Sequence, residues 1–189
     1  MYSNMDDQRI IALINDGDTR HFQNLFNRYQ DRIYNLCRYM LENPQDAEDA
    51  AQDTFIKAFQ GLKSYTPTSN FYTWLYRIAV NTCLDYKRKF SIYSLFFSTD
   101  NEDLIHNFPS PSPSPETSYA TRQSMQTLQS ALNLLSKKLR VIIILKELER
   151  LSYEEIAEVL DVSVGTVKSR ISRAREELQK KMKKITEQK

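Results

Sequence analysis

The stretch Leu151-Ser-Tyr-Glu-Glu-Ile-Ala-Glu-Val-Leu-Asp-Val-Ser-Val-Gly-Thr-Val-Lys-Ser-Arg-Ile-Ser-Arg-Ala-Arg-Glu-Glu-Leu178 decides the fold. Ser152 and Glu155 stand three apart, the spacing at which a hydroxyl and a carboxylate each satisfy a backbone amide at a helix start. Leu151 and Ile156 occupy the two staple positions around that cap. The helix so begun offers Ile156, Ala157 and Leu160 for packing, with Ala157 small where a second helix must cross closely. Asp161-Val162-Ser163 is a short turn, and Ser163 can cap the next helix. In that helix Val167, Ile171, Ala174 and Leu178 fall on one stripe. At 100° per residue the opposite face carries Gly165, Ser169, Ser172 and Glu176, flanked by Lys168 and Arg173. Small polar residues beside long cations can enter a major groove, touch base edges and bond phosphates. Such a face alone would also suit a solvated packing helix; the cap, staple, short turn and basic second helix together predict a DNA-binding helix-turn-helix.

Outward from this motif, charge divides the chain. Residues 1–90 hold eleven basic and eleven acidic side chains, residues 91–122 one and four, and residues 123–189 fourteen and nine. The net values are 0, −3 and +5, so the basic portion is the one with the motif, as a nucleic-acid module requires. Between Phe90 and Arg122 the composition breaks. Four of the six prolines lie in Pro109-Ser-Pro-Ser-Pro-Ser-Pro115, and proline fixes φ and lacks the amide a helix needs. We expect a linker over 91–122, with Ile92, Tyr93, Leu95, Phe96 and Phe97 apolar enough to dock on a partner. The whole is expected to be all-α: two small helical domains, 1–90 and 123–189. Helices are expected over about Arg122–Leu134, Lys137–Leu148, Tyr153–Leu160 and Val164–Lys183.

Four more helices are expected in the first domain. The first spans about Asp7–Asn15 and stops at Gly17. The second follows Asp18 and runs to about Leu41, with Phe22, Leu25, Phe26, Tyr29, Ile33, Leu36, Cys37 and Met40 at helical spacing. The third starts at Asn43-Pro44, a cap followed by a residue suited to the first helical position, and ends near Gly61. Ala47, Ala51, Phe55, Ala58 and Leu62 are its inner stripe; its other face shows Asp46, Asp49, Asp53, Ile56 and Gln60. An acidic face with an apolar centre reads as a protein-docking surface. The fourth helix, about Asn70–Lys89, buries Leu75, Ala79, Cys83 and Tyr86. Along one side run Arg77, Asn81, Asp85 and Arg88, with Trp74 beside them and Phe71, Tyr72 and Tyr76 near. Asn81 interrupts Ile78-Ala79-Val80, and its amide offers a base edge both a donor and an acceptor. Aromatics next to cations suit an unpaired strand, since a base can stack on a ring, although plain core packing would also use them.

The segments Asp46-Ala-Glu-Asp-Ala-Ala-Gln-Asp-Thr-Phe-Ile-Lys-Ala-Phe59, Phe71-Tyr-Thr-Trp-Leu-Tyr-Arg-Ile-Ala-Val-Asn81, Leu151-Ser-Tyr-Glu-Glu-Ile-Ala157 and Val164-Gly-Thr-Val-Lys-Ser-Arg170 resemble extracytoplasmic-function sigma factors over about residues 10–90 and 123–185. The resemblance implies that residues 1–90 are sigma region 2 and residues 123–189 sigma region 4. It implies that Asp46, Asp49, Gln52, Asp53, Ile56 and Gln60 meet the clamp helices of the largest subunit of RNA polymerase core. The loop with Tyr65, Ser69 and Asn70, and the helix start at Phe71 and Trp74, would hold a base flipped from the minus-ten element. Lys57, Tyr76, Arg77, Asn81 and Arg88 would line that strand, while Asp85 stands where relatives often carry Asn. Thr166, Lys168, Ser169, Arg170, Ser172 and Arg173 would read the minus-thirty-five duplex. The linker would thread towards the RNA exit path, and an anti-sigma factor would hold the protein inactive.

Other classes find little support. There is no phosphate-cradling glycine loop, nucleophile elbow or metal spacing, and His21 and His106 lack catalytic partners in sequence, so no enzyme, cofactor or metal is expected. Cys37 and Cys83, the only cysteines, fall in helical patterns as small buried residues. The longest apolar run, Val141–Leu145, is too short for a bilayer, and Met1–Arg9 is polar and acidic, unlike a signal peptide; a cytoplasmic location without membrane insertion is expected. A helix-turn-helix regulator acting without polymerase would share the DNA-reading motif but not the docking face.

Overall fold

The structure, a computed structural model, describes residues 5–66, 70–97 and 119–187, with residues 89–97 and 119–122 as backbone alone. Its regular elements are helices: α1 (Asp7–Asn15), α2 (Phe22–Met40), α3 (Pro44–Gly61), α4 (Phe71–Phe97), α5 (Tyr119–Asn133), α6 (Lys137–Ile143), α7 (Tyr153–Leu160) and α8 (Val164–Glu187). The expected all-α architecture is the observed one.

Helices α1 to α4 pack around a common interior. Gly17, at φ +108°, lets the chain turn away from α1 in a conformation that side-chain-bearing residues resist. Asn43 caps α3 by accepting the Gln45 amide at 2.8 Å, with Pro44 at the first helical position. The alanines at 47, 50, 51 and 58 are buried, and their small size brings α3 close against α2 and α4. At the far end of α3 a Cβ on Gly61 would meet the Trp74 indole at 3.3 Å, so this glycine lets α3 and α4 meet. Cys83 on α4 donates to Cys37 on α2 with the sulfurs 3.5 Å apart. That hydrogen bond, and then burial, push the Cys37 thiol well up, which makes it a packing group rather than a nucleophile.

Helices α5 to α8 enclose a second interior, built on Leu132, Leu139, Ile142, Ile144, Leu145, Ile156, Val167 and Ile171. The two interiors meet, because α7 packs on α4 and the segment Ile144–Leu148, which follows α6, packs on α2. Arg140 is buried at this junction. It donates to the Met40 carbonyl at 3.2 Å, where α2 ends, and to the Asn133 carbonyl, where α5 ends. The Glu42 carboxylate lies 3.7 Å from it. Gln129 adds a bond to the Arg38 carbonyl at 3.2 Å.

Four helix bounds differ from expectation. The fourth helix does not stop near Lys89 but continues to Phe97, so Ile92, Tyr93, Leu95, Phe96 and Phe97 have helical backbone; no proline falls between Pro67 and Pro109. Helix α5 begins at Tyr119, a turn before Arg122. The sixth helix is not uniform: Ile144–Leu148 forms a wide π turn. Helix α8 runs past Lys183 to Glu187. Ser69, His106 and Pro109–Pro115 lie outside the described residues.

Candidate nucleic-acid and protein interfaces

Both halves of the capping box form. The Ser152 hydroxyl accepts the Glu155 amide at 3.1 Å, and the Glu155 carboxylate accepts the Ser152 amide at 2.7 Å. Leu151 and Ile156 are buried beneath it. Helix α7 ends on Asp161 at φ +51°, a left-handed residue of a type that tolerates the conformation. Ser163 then accepts the Thr166 amide at 3.2 Å and starts α8. Ser152→Ala removes the acceptor and is expected to cost about 1 kcal/mol, the usual worth of such a cap. A thermal melt checks this, and an unchanged midpoint would mean that packing alone sets the start of α7.

Helix α8 buries Val167, Ile171 and Ala174 and turns Lys168, Ser169, Ser172 and Arg173 outward. Thr166 and Arg170 are half-buried at its margin. Two hydroxyls are engaged within the motif: Thr166 with Ser163 at 2.9 Å, and Ser169 with the Thr166 carbonyl at 3.0 Å. Lys168, Ser172 and Arg173 therefore stand out as the groups best placed for an outside partner.

Helix α3 keeps Asp46, Asp49 and Asp53 half-buried and Gln52, Ile56 and Gln60 exposed. Ile56 leaves 54% of its surface in solvent. Phe59, absent from the sequence-derived set, is 43% exposed and meets Phe22 edge-on at 5.0 Å. The signal was available, since Phe59 lies three residues after Ile56 and so shares its side of the helix. Asp53 accepts from the Tyr86 hydroxyl at 3.0 Å; burial and then this bond push the Tyr86 phenol up to about 12. Burial, and then the Asp49 carboxylate, raise the Asp46 carboxyl above its usual range.

The stripe on α4 is mixed in character. Asn70, Arg77, Asn81 and Arg88 are exposed. Arg88 pairs with Asp85 at 2.9 Å, and Lys57 donates from α3 to the Thr82 hydroxyl at 3.0 Å. Trp74 is half-buried, its ring 5.2 Å from that of Tyr65 and 5.6 Å from that of Phe71. Phe71 and Tyr65 are themselves buried, so they support the indole and do not offer their own faces. Tyr76 departs from expectation most. It is fully buried, and its hydroxyl donates to the Glu149 carboxylate from the far half of the chain. Burial, then the Glu149 carboxylate, push the phenol well up, and burial raises the Glu149 carboxyl. The residue lies on the side of α4 that α7 covers, a juxtaposition that helical periodicity does not encode.

Among the described residues no helix is long and apolar enough to cross a membrane, and no group of His, Cys, Asp and Glu could hold a metal ion.

This arrangement of an acidic-faced helix, a polar-aromatic stripe and a helix-turn-helix is that of a transcription initiation factor. The sigma-70 region 2 profile matches residues 25–91, and the sigma-70 region 4 profile matches residues 125–178. The chain is 36% identical to the ECF RNA polymerase sigma factor SigW of Bacillus subtilis over 92% of its own length and 95% of that protein's. It is 37% identical to the ECF RNA polymerase sigma-E factor of Haemophilus influenzae over 96% and 98%. Two solved structures share the fold. CnrH in complex with the cytosolic domain of CnrY gives a TM-score of 0.68 at 28% identity, covering 92% of this chain and 94% of that one. The sigma factor RpoE in complex with the anti-sigma factor NepR from Bartonella quintana gives 0.71 at 29%, covering 86% and 96%. The chain belongs to the ECF RNA polymerase sigma factors.

Proposed function

We propose that this chain binds RNA polymerase core and directs initiation at selected promoters, reading the minus-thirty-five duplex and capturing the melted minus-ten strand. One observation carries the reading: a single chain bears both an outward basic helix-turn-helix face and a separate acidic-apolar face on α3. A repressor would need the first and have no use for the second. In this reading residues 1–90 act as region 2, residues 91–122 as the linker and residues 123–189 as region 4.

Each surface has its part. Asp46, Asp49, Gln52, Asp53, Ile56 and Gln60 meet the polymerase clamp helices, with Phe59 widening the apolar centre. Lys168, Arg170, Ser172 and Arg173 contact the upstream duplex, where Thr166 and Ser169 fix the helix and its edge. Asn81, Arg77, Arg88, Lys57, Asn70 and the Trp74 ring meet the unpaired strand. Solved neighbours pair with CnrY and with an anti-sigma factor, which supports an anti-sigma partner here. The chemistry is binding rather than turnover, and the setting is the cytoplasm, where polymerase and promoter meet.

Run-off transcription with core polymerase and a promoter library tests this. Arg173→Ala is expected to weaken closed and open complexes alike, by about 1–3 kcal/mol if it makes a bidentate base contact, with loss of upstream preference. Asn81→Ala is expected to spare the closed complex and reduce stable opening, because opening a base pair costs a few kcal/mol that only base contacts offset. A pre-melted bubble should not restore its downstream preference, as seen by permanganate footprinting. Failure of the wild-type chain to bind core would favour the regulator reading and end this one.

A further inference from the structure

The junction of α2, α4, α5 and α6 gathers more positive charge than it answers. Arg140 forms its base and is 3% exposed. Its Nη1 and Nη2 are spent on the Met40 and Asn133 carbonyls, while its Nε is enclosed with no acceptor. Lys87 on α4 is half-buried within electrostatic reach of Arg140, and Lys137, the first residue of α6, is exposed at the rim. Neither lysine has a carboxylate within salt-bridge distance among the described residues. The acidic member of the cluster, Glu42, is exposed, and its carboxylate lies 3.7 Å from Arg140, long for a hydrogen bond. Three cations, Arg140, Lys87 and Lys137, thus share one loosely held carboxylate.

The cost of that imbalance is visible in the groups themselves. Burial, and then Arg140, pull the Lys87 ammonium down to about 8; Lys137 acts the same way, and Glu42 and the Cys83 thiol oppose them. Among the described residues, the enclosed side-chain nitrogens that lack a partner belong to Arg140 and to Arg38, whose carbonyl takes the Gln129 amide of α5 at this same junction. Cations removed from water are stable only beside a counter-charge, and enclosed N–H groups call for an acceptor.

We propose that this junction is a binding site for a small oxyanion of the phosphate class, held by Lys87 and Lys137 with the Arg140 Nε at its base, its oxygens taking the place that the Glu42 carboxylate fills loosely. Two ammonium groups and a guanidinium N–H suit a compact anion with several oxygens and more than one charge. A phosphate inside a nucleic-acid strand carries sugar on two sides and cannot approach so enclosed a guanidinium; a free or terminal phosphate can. None of the four residues belongs to the faces assigned above to polymerase or promoter. The bound anion joins α4 to α6, and its occupancy adds to the stability of the fold.

The test titrates the full chain, at fixed ionic strength and without divalent cations, with diphosphate, inorganic phosphate and chloride. Calorimetry and the melting midpoint are the readouts. One diphosphate should bind per chain, more tightly than phosphate, with no saturable signal from chloride, and the midpoint should rise with diphosphate concentration. Lys87→Gln should weaken diphosphate binding about tenfold, the worth of a hydrogen bond to a charged group. Lys137→Gln, at an exposed position, should weaken it too and decides the matter if Lys87→Gln fails to fold. Glu42→Gln removes the competing charge and should tighten binding about threefold, the scale of an exposed ion pair; a purely structural carboxylate would give no gain. Lys184→Gln, near the exposed end of α8, should bind as the parent does. A nucleoside diphosphate separates two sources of the same chemistry: tighter binding than diphosphate assigns the site to a nucleotide, equal or weaker binding to the free anion, and both uphold it. Absence of saturable diphosphate binding, unchanged affinity in both lysine variants of the junction, or an equal loss in Lys184→Gln would overturn the site. Displacement of diphosphate by a single-stranded oligonucleotide without terminal phosphates would also overturn it, by giving the cluster to nucleic acid.

Discussion

Ile56→Glu is expected to weaken binding to RNA polymerase core by about thirtyfold or more, a loss of about 2 kcal/mol, as for a packed residue at the centre of an interface. The side chain is 54% exposed on α3 and lies among Asp46, Asp49, Asp53 and Gln60. A new carboxylate there removes apolar contact and adds like charge to an acidic face. More than half of this side chain is in solvent, so the melting midpoint should stay within the small range of ordinary surface substitutions. Asp53→Arg should weaken core binding as well. It is the less clean probe, because Asp53 also accepts the Tyr86 hydroxyl and the substitution disturbs α4. Equilibrium binding to purified core measures both. Full affinity in Ile56→Glu, with the fold intact, would remove α3 from the polymerase interface.

Ile171→Ala and Ser172→Ala separate folding from reading at two adjacent positions. Ile171 is 2% exposed, held against the interior of the helix-turn-helix. Truncating such a side chain costs about 2–5 kcal/mol, the transfer term plus the cavity left behind. That is a large share of what a small domain has, so duplex binding should fail at growth temperature through loss of the fold. Ser172 is exposed on the opposite side. Its replacement should change stability by no more than about 0.5 kcal/mol while altering the preferred upstream sequence. Thermal melts paired with duplex binding distinguish the two. Equal destabilisation by both would show that α8 is rotated from the face assigned to it.

Much of this architecture is legible in local chemistry. Asn43-Pro44 and Ser152 with Glu155 mark helix starts through bonds made within three residues, so sequence and structure agree on them. Buried stripes such as Val167, Ile171 and Ala174 follow from helical period alone. The misplaced bounds have equally local causes. Composition groups Ile92–Phe97 with the proline-rich segment, although no breaker separates it from α4. The continuous run Val141–Leu145 has no polar residue to reveal phase, which hides the π turn beginning at Ile144. Tyr76 illustrates the part that no local pattern carries. Its period places it on a polar-aromatic stripe, but what covers it comes from seventy-odd residues further along the chain.

The Glu155 carboxylate spends one oxygen on the Ser152 amide and the other on the Tyr72 hydroxyl. Substitutions at Tyr72 and Glu155 should consequently be epistatic. Ser152→Ala removes only the hydroxyl that accepts the Glu155 amide and keeps the backbone amide that the carboxylate accepts, so both carboxylate bonds survive it, whereas Tyr72→Phe removes one of them and leaves the other on the cap. Glu155→Ala loses both at once. A drifting lineage could relinquish the Tyr72 bond alone, but it would reach Glu155 only by a step that loosens a helix start and a clasp between distant segments in the same generation.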